Sequence, residues 1–142
     1  MLKFKEYIAE AKALQPLVTL LGVFPGVIDS IQAVHWNVKG PNFGDIHADT
    51  GAIYTMFIGW QDKIAERIKA LNTGFQVTKG TSQDAPDVTD QAKAIAIVLS
   101  SLNTMKGAIQ TAAKTVDAPT ANMLQELEVE VDKWIWKFTN SQ

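Results

Sequence analysis

The sequence predicts an all-α fold: a four-helix bundle with a short extra helix between the second and third long helices. Three observations predict it. Four stretches carry apolar residues at helical spacing, and Gly, Pro, Asn and Asp gather in the breaks between them. The third observation is size: 142 residues, 46% of them apolar, can bury one sizeable core. Residues 1–142 therefore read as a single domain.

The first stretch runs from about Phe4 to Val38, with Leu14, Leu17, Leu21, Phe24, Ile28 and Ile31 on one face. Pro16 and Pro25 each remove a backbone donor and crowd the preceding turn, so the expectation is one kinked helix, with two helices as the alternative. The second helix spans about Asp45 to Leu71, with a core stripe of Ile46, Ile53, Phe57, Trp60, Ile64, Ile68 and Leu71. A polar segment, "TGFQVTKGTSQDAPDVT", is where the short extra helix is expected. The third helix runs from about Thr89 to Thr115, facing inward with Ile95, Val98, Leu99, Leu102, Met105 and Ile109. The fourth opens at Asp117-Ala118-Pro119, a capping residue followed by an early proline that the first turn tolerates. It continues to about Phe138 with Leu124, Leu127, Val131, Ile135 and Phe138 inward.

Composition narrows the function. Thirteen basic and 15 acidic residues give a net charge of −2, so no global field recruits nucleic acid or an anionic membrane. The absence of cysteine removes disulfides, thiolate metal sites and cysteine nucleophiles. The N-terminal stretch mixes charge with apolar residues, unlike a signal peptide, and no segment is expected to supply the roughly 20 apolar residues of a membrane span. These features read as a soluble, cytoplasmic domain.

Both histidines lie in "HWNVKGPNFGDIH", at His35 and His47. On a wheel of 100° per residue the core stripe of the second helix sits roughly 100° to one side of His47. His47 instead begins a separate seam of Gly51, Tyr54, Ile58 and Asp62, with Glu66 one turn further. His47 and Asp62 are 15 residues apart, about 22 Å along the helix, so one chain cannot place both on one metal ion. An antiparallel copy related by a two-fold axis would bring the histidines of one subunit to the acids of the other. Two imidazoles and two carboxylates suit iron(II), zinc or manganese. On the residues alone, a structural histidine pair and a solvated acidic face fit equally well.

His35-Trp36-Asn37-Val38-Lys39-Gly40, with Phe43, His47, Tyr54, Asp62 and Ala65-Glu66-Arg67-Ile68, closely resembles the Dps-type mini-ferritins, the DNA-protection-during-starvation family. Asp117, Thr120, Leu124, Asp132-Lys133 and Trp136 are similar to that family's C-terminal pattern. The resemblance implies a ferritin-like four-helix subunit, with twelve copies built from dimers into a hollow cage that stores iron. It implies ferroxidase activity at the two-fold interface, with iron(II) as the metal, peroxide preferred over oxygen, and protection against peroxide damage as the outcome. Zinc and manganese are the competing metals. His35 and His47 would come from one subunit, with Asp62 as a terminal ligand and Glu66 as a bridging carboxylate from its mate. Asp117, Glu126, Glu128 and Glu130 are the candidates for an iron-entry pore. The alternative is a DNA-condensing or purely structural cage with a degraded metal site. DNA binding in the family commonly uses a lysine-rich tail; here Lys3, Lys5 and Lys12 alternate with Glu6 and Glu10.

Two departures bear on the site. The family usually has a carboxylate four residues after the second histidine, where this chain has Gly51; Asp49 lies about 160° away on the wheel. The second iron position is therefore expected to be weak. Pro25-Gly26 interrupts a helix that the family keeps continuous.

Overall fold

The computed structural model describes residues 3–82 and 84–141, with residues 6–13 described by their backbone alone. Its helices are α1 (Phe4–Leu21), α2 (Phe24–Asn37), α3 (Phe43–Leu71), α4 (Gln91–Ala113) and α5 (Ala118–Thr139), and no strand occurs among the described residues. Helices α1 and α2 follow one another along α3 and α4, so the five segments make four bundle positions, with α5 packed chiefly on α4.

The first predicted helix is thus two. Pro16 lies inside α1 without ending it, whereas the break falls at Gly22-Val23, just upstream of Pro25. Pro25 has no N–H to offer and its ring crowds the carbonyl four residues earlier, so it is accommodated in the first turn of a new helix. The run Leu14–Asn37 spans this break. With a mean hydropathy of 1.7 over its most apolar window it is long and apolar enough to cross a membrane, contrary to the sequence expectation. Just over half of that window, 56%, is buried inside the bundle, where Leu14, Leu17, Leu21, Phe24, Ile28 and Ile31 form one side of the core.

The core closes with Ile53, Phe57, Ile64 and Ile68 from α3, Val98, Leu102, Met105 and Ile109 from α4, and Leu124, Leu127, Val131 and Phe138 from α5. Phe24 meets Phe57 edge-on with ring centroids 6.0 Å apart. Leu71, expected in this stripe, is exposed because it is the last residue of α3 and the bundle does not extend beyond it. Leu99 and Ile135 are only partly buried.

The expected short helix between α3 and α4 is absent from the described residues of the 72–90 connection. Pro86 disfavours helical backbone at Ala85, and Phe75, Val77 and Val88 are too widely spaced to form a stripe. Each packs singly against the bundle. Asp90 then caps α4 by accepting from the Lys93 N–H at 2.8 Å, and Asp117 caps α5 by accepting from the Thr120 N–H at 3.3 Å.

Candidate metal centre

The two histidines are brought together by the turn that joins α2 to α3. Gly40 makes that turn possible: it adopts φ +119°, and a Cβ there would stand 2.8 Å from Gln91 Oε1. That amide oxygen accepts from the Asn42 N–H at 3.0 Å, tying the turn to the start of α4. α3 begins at Phe43, two residues earlier than the sequence suggested, which puts Phe43, His47 and Gly51 on consecutive turns of one helix face.

His35 and His47 are cross-linked through each other's backbone. His35 Nδ1 lies 2.7 Å from the His47 carbonyl oxygen, and His47 Nδ1 lies 2.8 Å from the His35 carbonyl oxygen. A carbonyl can only accept, so each Nδ1 must carry a proton, and in the neutral ring this leaves the lone pair on Nε2, where a metal could bind. The His35 carbonyl is available because it belongs to the last turn of α2, where backbone acceptors lack helical partners. Thr50, fully buried, donates its hydroxyl to the Ile46 carbonyl at 2.7 Å. Its oxygen also lies 3.2 Å from His35 Nδ1, where it can accept a share of that N–H.

The rings form a short stack. The imidazoles of His35 and His47 have centroids 3.8 Å apart and planes 13° apart, and Phe43 stacks on His47 at 5.1 Å and 20°. Tyr54 meets His35 edge-on at 5.3 Å. No side chain at position 51 interrupts this arrangement: a Cβ on Gly51 would stand 3.0 Å from His35 Cε1 and 3.4 Å from Nδ1.

The two acids lie elsewhere on α3. Asp62 and Glu66 are exposed, and Asp62 borders an open groove of about 410 Å³ with Leu21, Ile58, Val77 and Lys79. Among the described residues no three His, Asp or Glu side chains of this chain converge on a metal-sized space. The structure therefore joins His35 to His47 and separates both from Asp62 and Glu66. The α3 seam is open, with Phe43 and Ile58 exposed, and on α2 Trp36, which follows His35 in the chain, is 69% exposed.

Other acids are committed to neighbours. Asp49 accepts from Lys137 Nζ at 2.9 Å and so faces α5. Of the pore candidates, Glu128 accepts from Gln110 on α4 at 3.0 Å, and Glu130 accepts from Trp60 Nε1 on α3 at 2.5 Å. Asp117 pairs with Arg67 at 3.1 Å. The hydrogen bond from Thr120, aided by the Arg67 charge, holds the Asp117 carboxyl below its ordinary value. Glu126 is exposed on α5. Asp117, Glu128 and Glu130 therefore point to different neighbours, and among the described residues no three of these acids gather to hold a metal ion. The N-terminal Glu6, Glu10 and Lys12 side chains lie outside the described residues.

Sequence reasoning found the histidines and the acids but gave no role to Thr50 or the Phe43 ring. Thr50 carried a legible signal, a polar residue three positions after His47 and pointing toward the core.

The family model for the ferritin-like domain matches residues 27–141. A DNA protection during starvation protein from Brevibacillus brevis is 30% identical over 112 residues, which cover 72% of this chain and 75% of the relative. Among solved structures, Dps from Microbacterium arborescens in its high iron form superposes with a TM-score of 0.82 at 24% identity, covering 93% of each chain. A Dps protein from Vibrio cholerae, described as a member of a broad superfamily of ferritin-like diiron-carboxylate proteins, gives a TM-score of 0.72 at 20% identity. That match covers 92% of this chain and 89% of the other.

Proposed function

Since the chain belongs to the Dps-type mini-ferritins of the ferritin-like family, we propose that it oxidises iron(II) at sites shared between two subunits and stores the product within a cage of twelve. The observation that carries this reading is the histidine pair: two imidazoles locked in the tautomer that presents Nε2, on a seam whose acids lie about 22 Å further along the same helix. A two-fold partner running antiparallel along α3 completes the set, with His35 and His47 from one protomer and Asp62 and Glu66 from the other. The exposed Ile58 on this seam supplies apolar surface for such a contact, and Trp36, next to His35 on α2, is exposed as well.

Iron(II) is the substrate. The neutral imidazoles coordinate without adding charge, while the two carboxylates offset the charge that accumulates as iron(II) becomes iron(III). Each iron gives up one electron and hydrogen peroxide takes two, so two iron(II) ions and two protons convert one peroxide into two waters. The high iron form of the Microbacterium relative and the diiron-carboxylate description of the Vibrio one support iron over zinc or manganese. A cytoplasmic location fits removal of peroxide and iron(II) together. The exposed acids near the start of α5, Asp117 and Glu126, are the best placed to line an entry route at a junction of subunits.

The test is complementation. One variant lacks both histidines (His35→Ala with His47→Ala) and the other lacks both acids (Asp62→Ala with Glu66→Ala). Each alone is expected to oxidise iron(II) no faster than buffer. Unfolded, mixed and refolded together in equal amounts, half of the dimers are mixed and each mixed dimer holds one complete site. About a quarter of the wild-type sites return by that count. No recovery, in mixtures shown to contain mixed dimers, would sink the shared site.

A further inference from the structure

We infer that Gly51 is a positioning residue of the centre: its missing side chain seats the His35 imidazole, and does not merely omit a carboxylate. This deepens the proposed iron site and rests on that reading.

Phe43, His47 and Gly51 occupy successive turns of α3, and the first two rings stack. A third side chain would continue the row. Glycine leaves a slot there instead, and the imidazole of His35 enters it from α2, stacking on His47 at 3.8 Å. A Cβ at position 51 would stand 3.0 Å from His35 Cε1, tighter than side-chain carbons normally approach, so the ring would have to yield. It has little freedom to do so. Its Nδ1 is held by the His47 carbonyl at 2.7 Å, Thr50 Oγ1 lies 3.2 Å away, and the Tyr54 ring packs on it in a T-shaped contact.

A glycine inside a 29-residue helix is otherwise unfavourable, because it orders the most flexible backbone and adds no contact. Gly51 differs from Gly44 and Gly59 of the same helix, where an added Cβ would meet nothing within 4 Å. The space that the first carbon of a side chain at position 51 would enter is taken by the His35 ring. Asp49 does not supply the carboxylate that position 51 lacks, since its own is turned to Lys137. An acid at position 51 therefore displaces the His35 ring instead of adding a ligand beside it.

The experiment uses Gly51→Ala and Gly51→Asp beside the wild type. The chain has only two histidines, so ¹⁵N-histidine labelling and solid-state NMR at pH 8, without metal, read both imidazoles in an assembly of any size. In the wild type both rings are expected as the Nδ1–H tautomer. In the variants His35 is expected to become a mixture containing Nε2–H, while His47 keeps its acceptor, the His35 carbonyl. Cobalt(II) titration, followed by visible absorption, should show no extra ion per chain in Gly51→Asp and an affinity lowered by about tenfold or more in both variants. Alanine favours helix over glycine, so Gly51→Ala is expected to keep the wild-type circular dichroism. Unchanged imidazole signals in Gly51→Ala overturn the inference. So does an additional cobalt ion in Gly51→Asp with the first affinity retained. The NMR reads the seat in metal-free protein, so a wild type that failed to oxidise iron(II) would count against the proposed function and leave this result standing.

Discussion

His35 and His47 each hold the other's ring through a backbone carbonyl, at 2.7 Å in one direction and 2.8 Å in the other. The acceptors are main-chain atoms, so truncating one side chain leaves the other ring its partner. His47→Ala is expected to keep His35 anchored, and His35→Ala to keep His47 anchored. Each single variant should lose one ligand and not two. Cobalt(II) titration should show weakened binding for both variants and loss of binding only in the double one.

Thr50 offers a finer test of the same clamp. Thr50→Val preserves volume but sets a methyl group against His35 Nδ1, where an oxygen now accepts at 3.2 Å. Outer-shell partners of metal ligands are commonly worth about 10–100-fold in affinity or activity. The hydroxyl shares the proton with a closer carbonyl, so a loss near tenfold in the iron(II) oxidation rate is expected. Thr50→Ser should recover most of it. Equal defects in both variants would show that packing, and not the hydroxyl, matters.

Asp117 predicts a pH dependence. Its folded-state carboxyl sits below the ordinary value of 3.8, chiefly through the hydrogen bond from Thr120. A depressed carboxyl stabilises the folded chain above its unfolded value and loses that contribution as pH falls through the folded one. Melting temperatures of wild type and Asp117→Asn should therefore differ most at neutral pH and converge below about pH 4. A gap that persists unchanged at pH 3 would count against the assignment.

Asp90 caps α4 immediately before Gln91, whose amide holds the Gly40 turn. Asp90→Ala is expected to lower stability by about 1 kcal/mol, within the range for lost N-caps. Phe57→Ala is a harsher case. The ring is fully buried and packs on Phe24, and truncations of this kind cost about 3–5 kcal/mol. Chemical denaturation of both variants gives the comparison, and a Phe57→Ala cost below that of Asp90→Ala would contradict the assigned core.

Much of the fold was legible because helical periodicity is local. Ile53, Phe57, Ile64 and Ile68 announce their face by spacing alone, and they are completely buried. The break in the first helix was half legible: proline chemistry signals trouble, but Pro16 is absorbed and Pro25 is not. Which proline ends a helix depends on what its neighbours can bury and bond, and no single-residue rule contains that. The extra helix failed for the opposite reason, since a polar segment with sparse apolar residues had no stripe to support it. Leu71 followed its stripe in sequence yet lies exposed where the bundle stops.

For the centre, helix rise alone separates the histidines from the acids, because 15 residues of α-helix span about 22 Å whatever surrounds them. The sequence by itself thus determined that His47 and Asp62 cannot share an ion within one chain, and that an all-helical bundle carries them. Only the tertiary structure decided what the histidines and Gly51 do. Their tautomers depend on carbonyls brought close by the turn at Gly40, and the missing side chain at position 51 is filled by a ring from another helix. Spacing along one helix is fixed by covalent geometry. The contents of a slot between two helices are fixed by packing, which the sequence states only once it has folded.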